Sequence, residues 1–203
     1  RRFAEGSITV AFIPTFTGIL AEKDEGKTRE FLSAMLTVLL VLVLGTVSLG
    51  IACTPLLASL FSSDRGETIV LTRMMFPFLA LISVASLFQG ILNSIGVFVP
   101  SGLGPILFNV CFIGVPFAIG GWTANPARAM AIGVIAGGFA QALCQLPAVL
   151  RAGFRFGLIG FRRAFGNPGV HRVLSLVAPT VLGMAAYQLN DLVCTSLASG
   201  VGA

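Results

Sequence analysis

Charge is what this chain has least of. Asp, Glu, Lys and Arg make up 10% of its 203 residues, where soluble domains carry about 25%. Hydrophobic residues make up 56%, and mean hydropathy is +0.95. A soluble fold of this length has no interior large enough to hide that much apolar sequence, which leaves an all-α, polytopic transmembrane helical bundle. Histidine occurs once, as His171. With no His-Glu-x-x-His pair and no glycine-rich phosphate loop, neither a hydrolytic metal site nor a nucleotide cradle is legible, and nothing supports an enzyme. The four cysteines, Cys53, Cys111, Cys144 and Cys194, fall in apolar segments without metal or redox spacing, and so read as small buried hydrophobes. The net charge of +5 is a matter of membrane topology and not of nucleic-acid binding.

Six apolar spans are expected: Phe3–Ala21, Phe31–Phe61, Met74–Val99, Ile106–Trp122, Ala129–Leu150 and Val173–Ala198. The second runs 31 residues without a charge. At 1.5 Å per residue that is about 46 Å of helix, more than the ~30 Å hydrocarbon core requires, so it tilts, kinks at Pro55 or projects. Between the second and third spans, Thr68–Arg73 is expected to be helical already. Pro100-Ser101-Gly102-Leu103-Gly104-Pro105 reads as a tight, uncharged connection. Gly133 and Gly137 form a small-xxx-small face on the fifth span. Amides recur at i,i+4, as Gln89/Asn93 and Gln141/Gln145, and read as ties between helices. The chain has no initiator Met and stops in mid-pattern at Gly200-Val201-Gly202-Ala203, so it reads as a piece of something longer.

Between the last two spans, 151–172 holds Arg151, Arg155, Arg162, Arg163 and Arg172 and no acid. Phe154, Phe156, Leu158, Ile159, Phe161 and Phe165 are interleaved with them, the composition of a short amphipathic helix lying in the membrane interface. His171 lies here as an interface residue. Alternation of spans puts 22–30, 100–105 and 151–172 on one side, with eight Lys/Arg. The other side has Arg65, Arg73 and Arg128, plus Arg1 and Arg2 if these are counted there. The basic side is the cytoplasmic one. Prolines 14, 55, 77, 116, 147 and 179 lie within or near the ends of the six spans. Such breaks are tolerated where neighbours or cavity water satisfy the freed carbonyls, as around the polar centres of transporters.

The head of the chain stands apart. Arg1-Arg2-Phe3-Ala4-Glu5-Gly6 places two guanidiniums and a carboxylate on an apolar segment. On a helix Arg1 and Glu5 are four apart and Arg2 and Glu5 three apart, so acid and base share a face. Two readings stand on the spacing: a headgroup anchor, or a functional cluster at membrane depth, where an ionisable residue costs on the order of +2.5 to +3.5 kcal/mol. Topology puts the pair towards the non-cytoplasmic side, where anchoring arginines are not expected, and so favours a polar cavity. In the last span, Gln188, Asn190 and Asp191 form a second polar cluster, a candidate polar or cation site.

Arg1-Arg2-Phe3-Ala4-Glu5-Gly6 followed by Ala11-Phe12-Ile13-Pro14 resembles the second-helix signature of the MurJ (MviN) lipid II flippases, of the multidrug/oligosaccharidyl-lipid/polysaccharide exporter superfamily. Shorter matches follow in order: Phe76-Pro77, Ser83–Leu87, Ile91-Leu92-Asn93, Pro105 with Asn109, Gln145-Leu146-Pro147, Ala178-Pro179 with Gln188, and Leu197–Gly200. The resemblance implies about fourteen helices in two pseudo-symmetric lobes around a cationic cavity, working by alternating access. Here about six spans are present, the second to seventh helices. Residues 1–150 would be most of the amino-terminal lobe with five transmembrane helices, 151–172 a basic cytoplasmic linker, and 173–203 the first helix of the second lobe.

The implied cargo is lipid II, the undecaprenyl-pyrophosphate-linked cell-wall precursor, carried from the cytoplasmic to the periplasmic leaflet of the bacterial inner membrane. Arg1, Arg2 and Glu5 would be substrate-binding residues. The implied partners are lipid II, membrane lipids and the cell-wall synthesis machinery. No cofactor is implied beyond a coupling cation such as sodium, or the membrane potential. Some family members have a cation-binding carboxylate about one turn after the position of Asp191, where this chain has Cys194. The alternatives are another exporter of the superfamily, for drugs or polysaccharide lipids, and a non-transporting membrane scaffold. A scaffold gains nothing from charge in the bilayer.

Overall fold

A computed structural model describes the backbone of residues 2–61, 65–122 and 125–201; side chains at 2–10, 191–193, 195–201 and a few other positions lie outside the described set. The described residues form eight α-helices and a short 3-10 turn, with no strand: α1 (Arg2–Ala21), α2 (Glu25–Phe61), α3 (Arg65–Met75), α4 (Pro77–Ser94), α5 (Val99–Ile119), the 3-10 turn Gly120–Trp122, α6 (Pro126–Arg151), α7 (Phe161–Phe165) and α8 (Pro168–Val201). Among the described residues, five stretches are long and apolar enough to cross a membrane: Glu25–Leu56, Gly66–Ser94, Val99–Ile119, Pro126–Arg151 and Pro168–Gln188. The first expected span is helical throughout as α1, and its described apolar part is Ala11–Ala21.

The turn from α1 to α2 is set by its residues. Glu22 and Lys23 donate their backbone N–H groups to the Ile19 and Leu20 carbonyls, and Lys23 takes a positive φ of 54°. Asp24 then caps α2, its Oδ1 accepting from the Lys27 N–H at 3.1 Å, which satisfies one of the donors left free at a helix start. The 37 residues of α2 extend about 55 Å at 1.5 Å per residue, so this helix both crosses the bilayer and projects from it. The third span is broken at Phe76. Pro77 starts α4 there, and the Phe76 ring lies on α2 at Gly50, where any side chain would run into it. The helix before the break begins at Arg65, so Thr68–Arg73 is helical as expected.

The uncharged connection is not at 100–105. Those six residues lie inside α5, and the chain turns instead over 95–98, where Gly96 has φ +78°. Backbone N–H groups of Gly96 and Val97 close onto Asn93 and Leu92, the closure a left-handed glycine permits after a helix. Pro100 falls in the first turn of α5, where its missing N–H costs nothing. α5 and α6 then pack closely along Gly133 and Gly137. A methyl at Gly137 would lie 2.7 Å from Phe108 Cδ2, and one at Gly133 would lie 3.2 Å from Pro116 Cδ. The small-residue face is used, and α5 is its partner.

The segment 151–172 is not one amphipathic helix. Residues 154–160 are non-helical, the only helix within the segment is the five-residue α7, and α8 starts at Pro168. Gly157 N–H donates to Ser33 Oγ and Ile159 N–H to Thr37 Oγ1, both at 3.1 Å. Two hydroxyls one turn apart on α2 thus hold two N–H groups one dyad apart on the segment, which is extended-chain spacing laid on helix spacing. Phe154, Phe156 and Ile159 pack against the core. That core joins Phe12 and Phe16 of α1, Phe31, Leu32, Met35 and Val38 of α2, Leu87, Ile91 and Leu92 of α4, Val149 of α6, and Val170 and Val173 of α8. Away from it large apolar side chains face outwards, among them Leu49, Val110, Phe117 and Leu182, as a bilayer solvent allows.

Candidate functional site

α1 carries the charged head, and its other half anchors it. Phe12 and Phe16 are fully buried and stack at 5.1 Å between ring centroids, with Phe31 of α2 stacked on both. The helix packs chiefly on α4 and α8. Pro14 lies within it without ending it. Because the helix is continuous from Arg2, Arg2 and Glu5 are three residues apart on one helical face. Their side chains, and Arg1 altogether, lie outside the described residues.

The basic end of the bundle is built by α2 and the 152–163 segment. Loops 22–30 and 151–172, expected on one side, do meet: Arg163 donates Nε and Nη2 to Glu30 Oε1 at 3.1 and 3.0 Å. Lys27 pairs with Glu22 at 2.6 Å. The acids are largely committed, Glu22 to Lys27, Glu30 to Arg163 and Asp24 Oδ1 to the cap. Around the α1–α2 turn, a cleft of about 710 Å³ is lined by Lys23, Arg29 and Arg155 with Asp24 and Glu25, over Leu20, Leu32 and Phe154. A second, of about 570 Å³, brings Lys27, Arg172 and Asn167 together with Glu22 and Glu30. His171 is exposed and lies edge-on to Phe165, 5.1 Å between centroids.

The opposite end has a polar clamp that spacing along the chain does not reveal. Arg128 and Asn125 at the start of α6 both reach Glu67 of α3: Arg128 Nε and Nη2 take the two carboxylate oxygens at 2.9 and 2.8 Å, and Asn125 Nδ2 donates at 3.0 Å. Asn125 Oδ1 meanwhile caps α6 through the Ala127 N–H at 2.9 Å. The one signal along the chain is an Asn-Pro start to an apolar run, which marks a cap.

The amides inside the bundle behave unequally. Asn93 ties α4 to α5, its Oδ1 accepting from Ser101 Oγ at 3.0 Å. Gln145, expected to tie helices, is fully buried, and neither Nε2 nor Oε1 has a hydrogen-bond partner. In α8, Gln188 and Asn190 are exposed, and Cys194 Sγ contacts Asn190 Oδ1 at 3.8 Å. On one continuous helix Gln188 and Asp191 share a face, while Asn190 is roughly 200° round from Gln188. The three therefore do not converge within α8. The Asp191 side chain lies outside the described set. No group of three or more metal-ligating side chains occurs among the described residues.

The family model for the lipid II flippase MurJ matches residues 1–203. The chain belongs to the MurJ family. Among its relatives, the probable lipid II flippase MurJ of Treponema pallidum is 46% identical over 207 residues, covering 99% of this chain and 39% of that protein. The lipid II flippase MurJ of Burkholderia cenocepacia is 33% identical over 211 residues, covering 100% of this chain and 41% of that protein. The probable lipid II flippase MurJ of Rhizobium meliloti is 33% identical, covering 98% and 39%. The chain thus spans about two-fifths of the length of the curated MurJ relatives it matches. With five apolar stretches of membrane-crossing length among its described residues, this MurJ-family chain is a multi-pass segment of the bacterial cytoplasmic membrane.

Proposed function

We propose that the whole protein to which this chain contributes moves lipid II from the cytoplasmic to the periplasmic leaflet by alternating access, with no bond made or broken. The match of the flippase family model across residues 1–203 carries the reading. A diphosphate does not cross ~30 Å of hydrocarbon unescorted. Arginines in a watered cleft give it bidentate, charge-assisted bonds. In this reading Arg1 and Arg2 hold the diphosphate, and Glu5, on the face of α1 that carries Arg2, positions the guanidiniums while the site is empty. The burial of Phe12 and Phe16 supports it, since it anchors the helix on which Arg2 and Glu5 lie. A coupling cation, or the membrane potential, drives the rocking, and the Gln188–Asp191 face of α8 is the proposed cation contact.

The test is complementation of a flippase-depleted bacterium by full-length variants, with membrane abundance checked by blot. Arg1→Ala, Arg2→Ala and Glu5→Ala reach normal abundance and the cells lyse. Arg→Lys keeps the charge, loses the planar fork of donors and is impaired. Full growth from all three alanine variants would remove the cationic-cavity role. Asp191→Asn tests the cation contact, which is abandoned if transport and its ion dependence are unchanged.

A further inference from the structure

We infer that the Gln145 amide of α6 is poised to become the stand-in hydrogen-bond partner of the Ser101 carbonyl of α5, whose own helical donor is removed by Pro105, when α5 bends at that proline. Pro105 lies inside α5, and a proline has no N–H to give to the carbonyl four residues earlier, here that of Ser101. Ser101 is buried, and its hydroxyl is already committed to Asn93 Oδ1 at 3.0 Å, which fixes the residue in the seam between α4 and α5. In a helix the carbonyl of residue i lies beside the Cβ position of residue i+3, and here that residue is Gly104. A methyl at Gly104 would fall 3.0 Å from Gln145 Nε2 and 3.0 Å from Gln141 Cγ. The missing side chain at 104 is therefore what admits the Gln145 amide to the stretch of α5 backbone that the proline leaves short of a donor.

Gln145 is 0% exposed, and both of its amide atoms are without a partner in this conformation. Buried amides are kept where they find partners. A donor held at the open Cβ position of Gly104, with no bond closed, is placed to reach the Ser101 carbonyl when α5 bends further at Pro105. The second proline of α5 is a built-in control. Pro116 faces Gly133, on a turn of α6 far from Gln145, and has no amide assigned to it.

The experiment is a double-mutant cycle on the full-length protein in micelles, read as the midpoint of thermal unfolding, so it does not depend on the cargo. Gln145→Met keeps length while removing donor and acceptor, and Pro105→Ala returns an N–H to the Ser101 carbonyl. Gln145→Met lowers the midpoint in the parent and leaves it unchanged or raises it in the Pro105→Ala protein, while in a Pro116→Ala background it behaves as in the parent. If Gln145→Met does not accumulate in the parent, its accumulation in the Pro105→Ala background shows the same coupling. An equal shift in all three backgrounds, or failure to accumulate both in the parent and in the Pro105→Ala background, overturns the assignment.

Discussion

Arg128 holds Glu67 with two nitrogens on two oxygens, at 2.9 and 2.8 Å, across 61 positions of sequence. A planar guanidinium meets a planar carboxylate in this way, and an ammonium does not. Arg128→Lys therefore retains the charge and loses the fork. It should lower the thermal midpoint of the full-length protein, as should Glu67→Gln. The exchanged pair, Glu67→Arg with Arg128→Glu, should recover part of the loss over either single reversal. Because the pair is partly exposed, salt should shrink the difference between parent and Arg128→Lys. A difference that is unchanged at high salt would show that the clamp acts through packing and not through charge.

How far the sequence is legible depends on whether a feature is local. The presence of the membrane spans, the Gly133/Gly137 face and the helix that carries the charged head each follow from composition or spacing within one segment, although the third and fourth spans begin earlier than expected, at Gly66 and Val99. The turn before α5 is displaced from its expected place because Pro100 and Pro105 read as turn residues, although Pro100 is accommodated in the first turn of a helix and a membrane helix tolerates Pro105 in its interior. Gly96, a lone glycine, holds the positive φ instead. In 151–172 the arginines and aromatics match an interfacial helix by composition, but Phe154 and Phe156 alternate with period two, which is the period of extended chain. The Glu67 clamp and the missing partner of Gln145 are tertiary facts, which no window along the chain contains. The charged cluster of α1 is read from residue order alone, and its backbone is helical as that reading requires.

The segment after α6 hangs on two hydroxyls. Ser33→Ala and Thr37→Val each delete the acceptor for one N–H, that of Gly157 or Ile159. Each substitution should cost about 1 kcal/mol, the net value of an ordinary hydrogen bond. Trypsin should then cut faster at Arg155, which is exposed in the same segment. The measurement is the cleavage rate of the full-length protein in micelles for parent, single and double variants. Rates equal to the parent in the double variant would show that Phe154 and Phe156 hold the segment without the hydrogen bonds.

Close helix contact makes a graded prediction for glycine. Gly137→Ala places a methyl 2.7 Å from Phe108 Cδ2 and 3.0 Å from the Phe108 carbonyl oxygen, whereas Gly114→Ala meets nothing within 4 Å. Overpacking costs typically about 1–3 kcal/mol, and alanine in place of an open helical glycine is mildly stabilising. The two alanines should therefore shift the thermal midpoint in opposite directions, down at 137 and up at 114. A fall at both positions would mean that α5 meets another helix of the full protein at Gly114.

Orientation is predicted from arginine. Five arginines without an acid in 151–172 should face the cytoplasm, and the structure brings that segment to the same end as loop 22–30 through the Arg163–Glu30 pair. The 3-10 turn at Gly120–Trp122 lies at the far end of α5, one membrane crossing away. Gly157 and Gly121 are both exposed, and a side chain at either meets nothing within 4 Å, so a cysteine fits at each without disturbing its neighbours. In intact cells carrying a full-length protein freed of its other cysteines, a membrane-impermeant thiol reagent should label Gly121→Cys and spare Gly157→Cys. Permeabilising the inner membrane should make the second react as well, which excludes burial as the cause of its protection. The reverse pattern would invert every helix of the chain, put the charged head of α1 on the cytoplasmic side, and return Arg1 and Arg2 to the role of headgroup anchors.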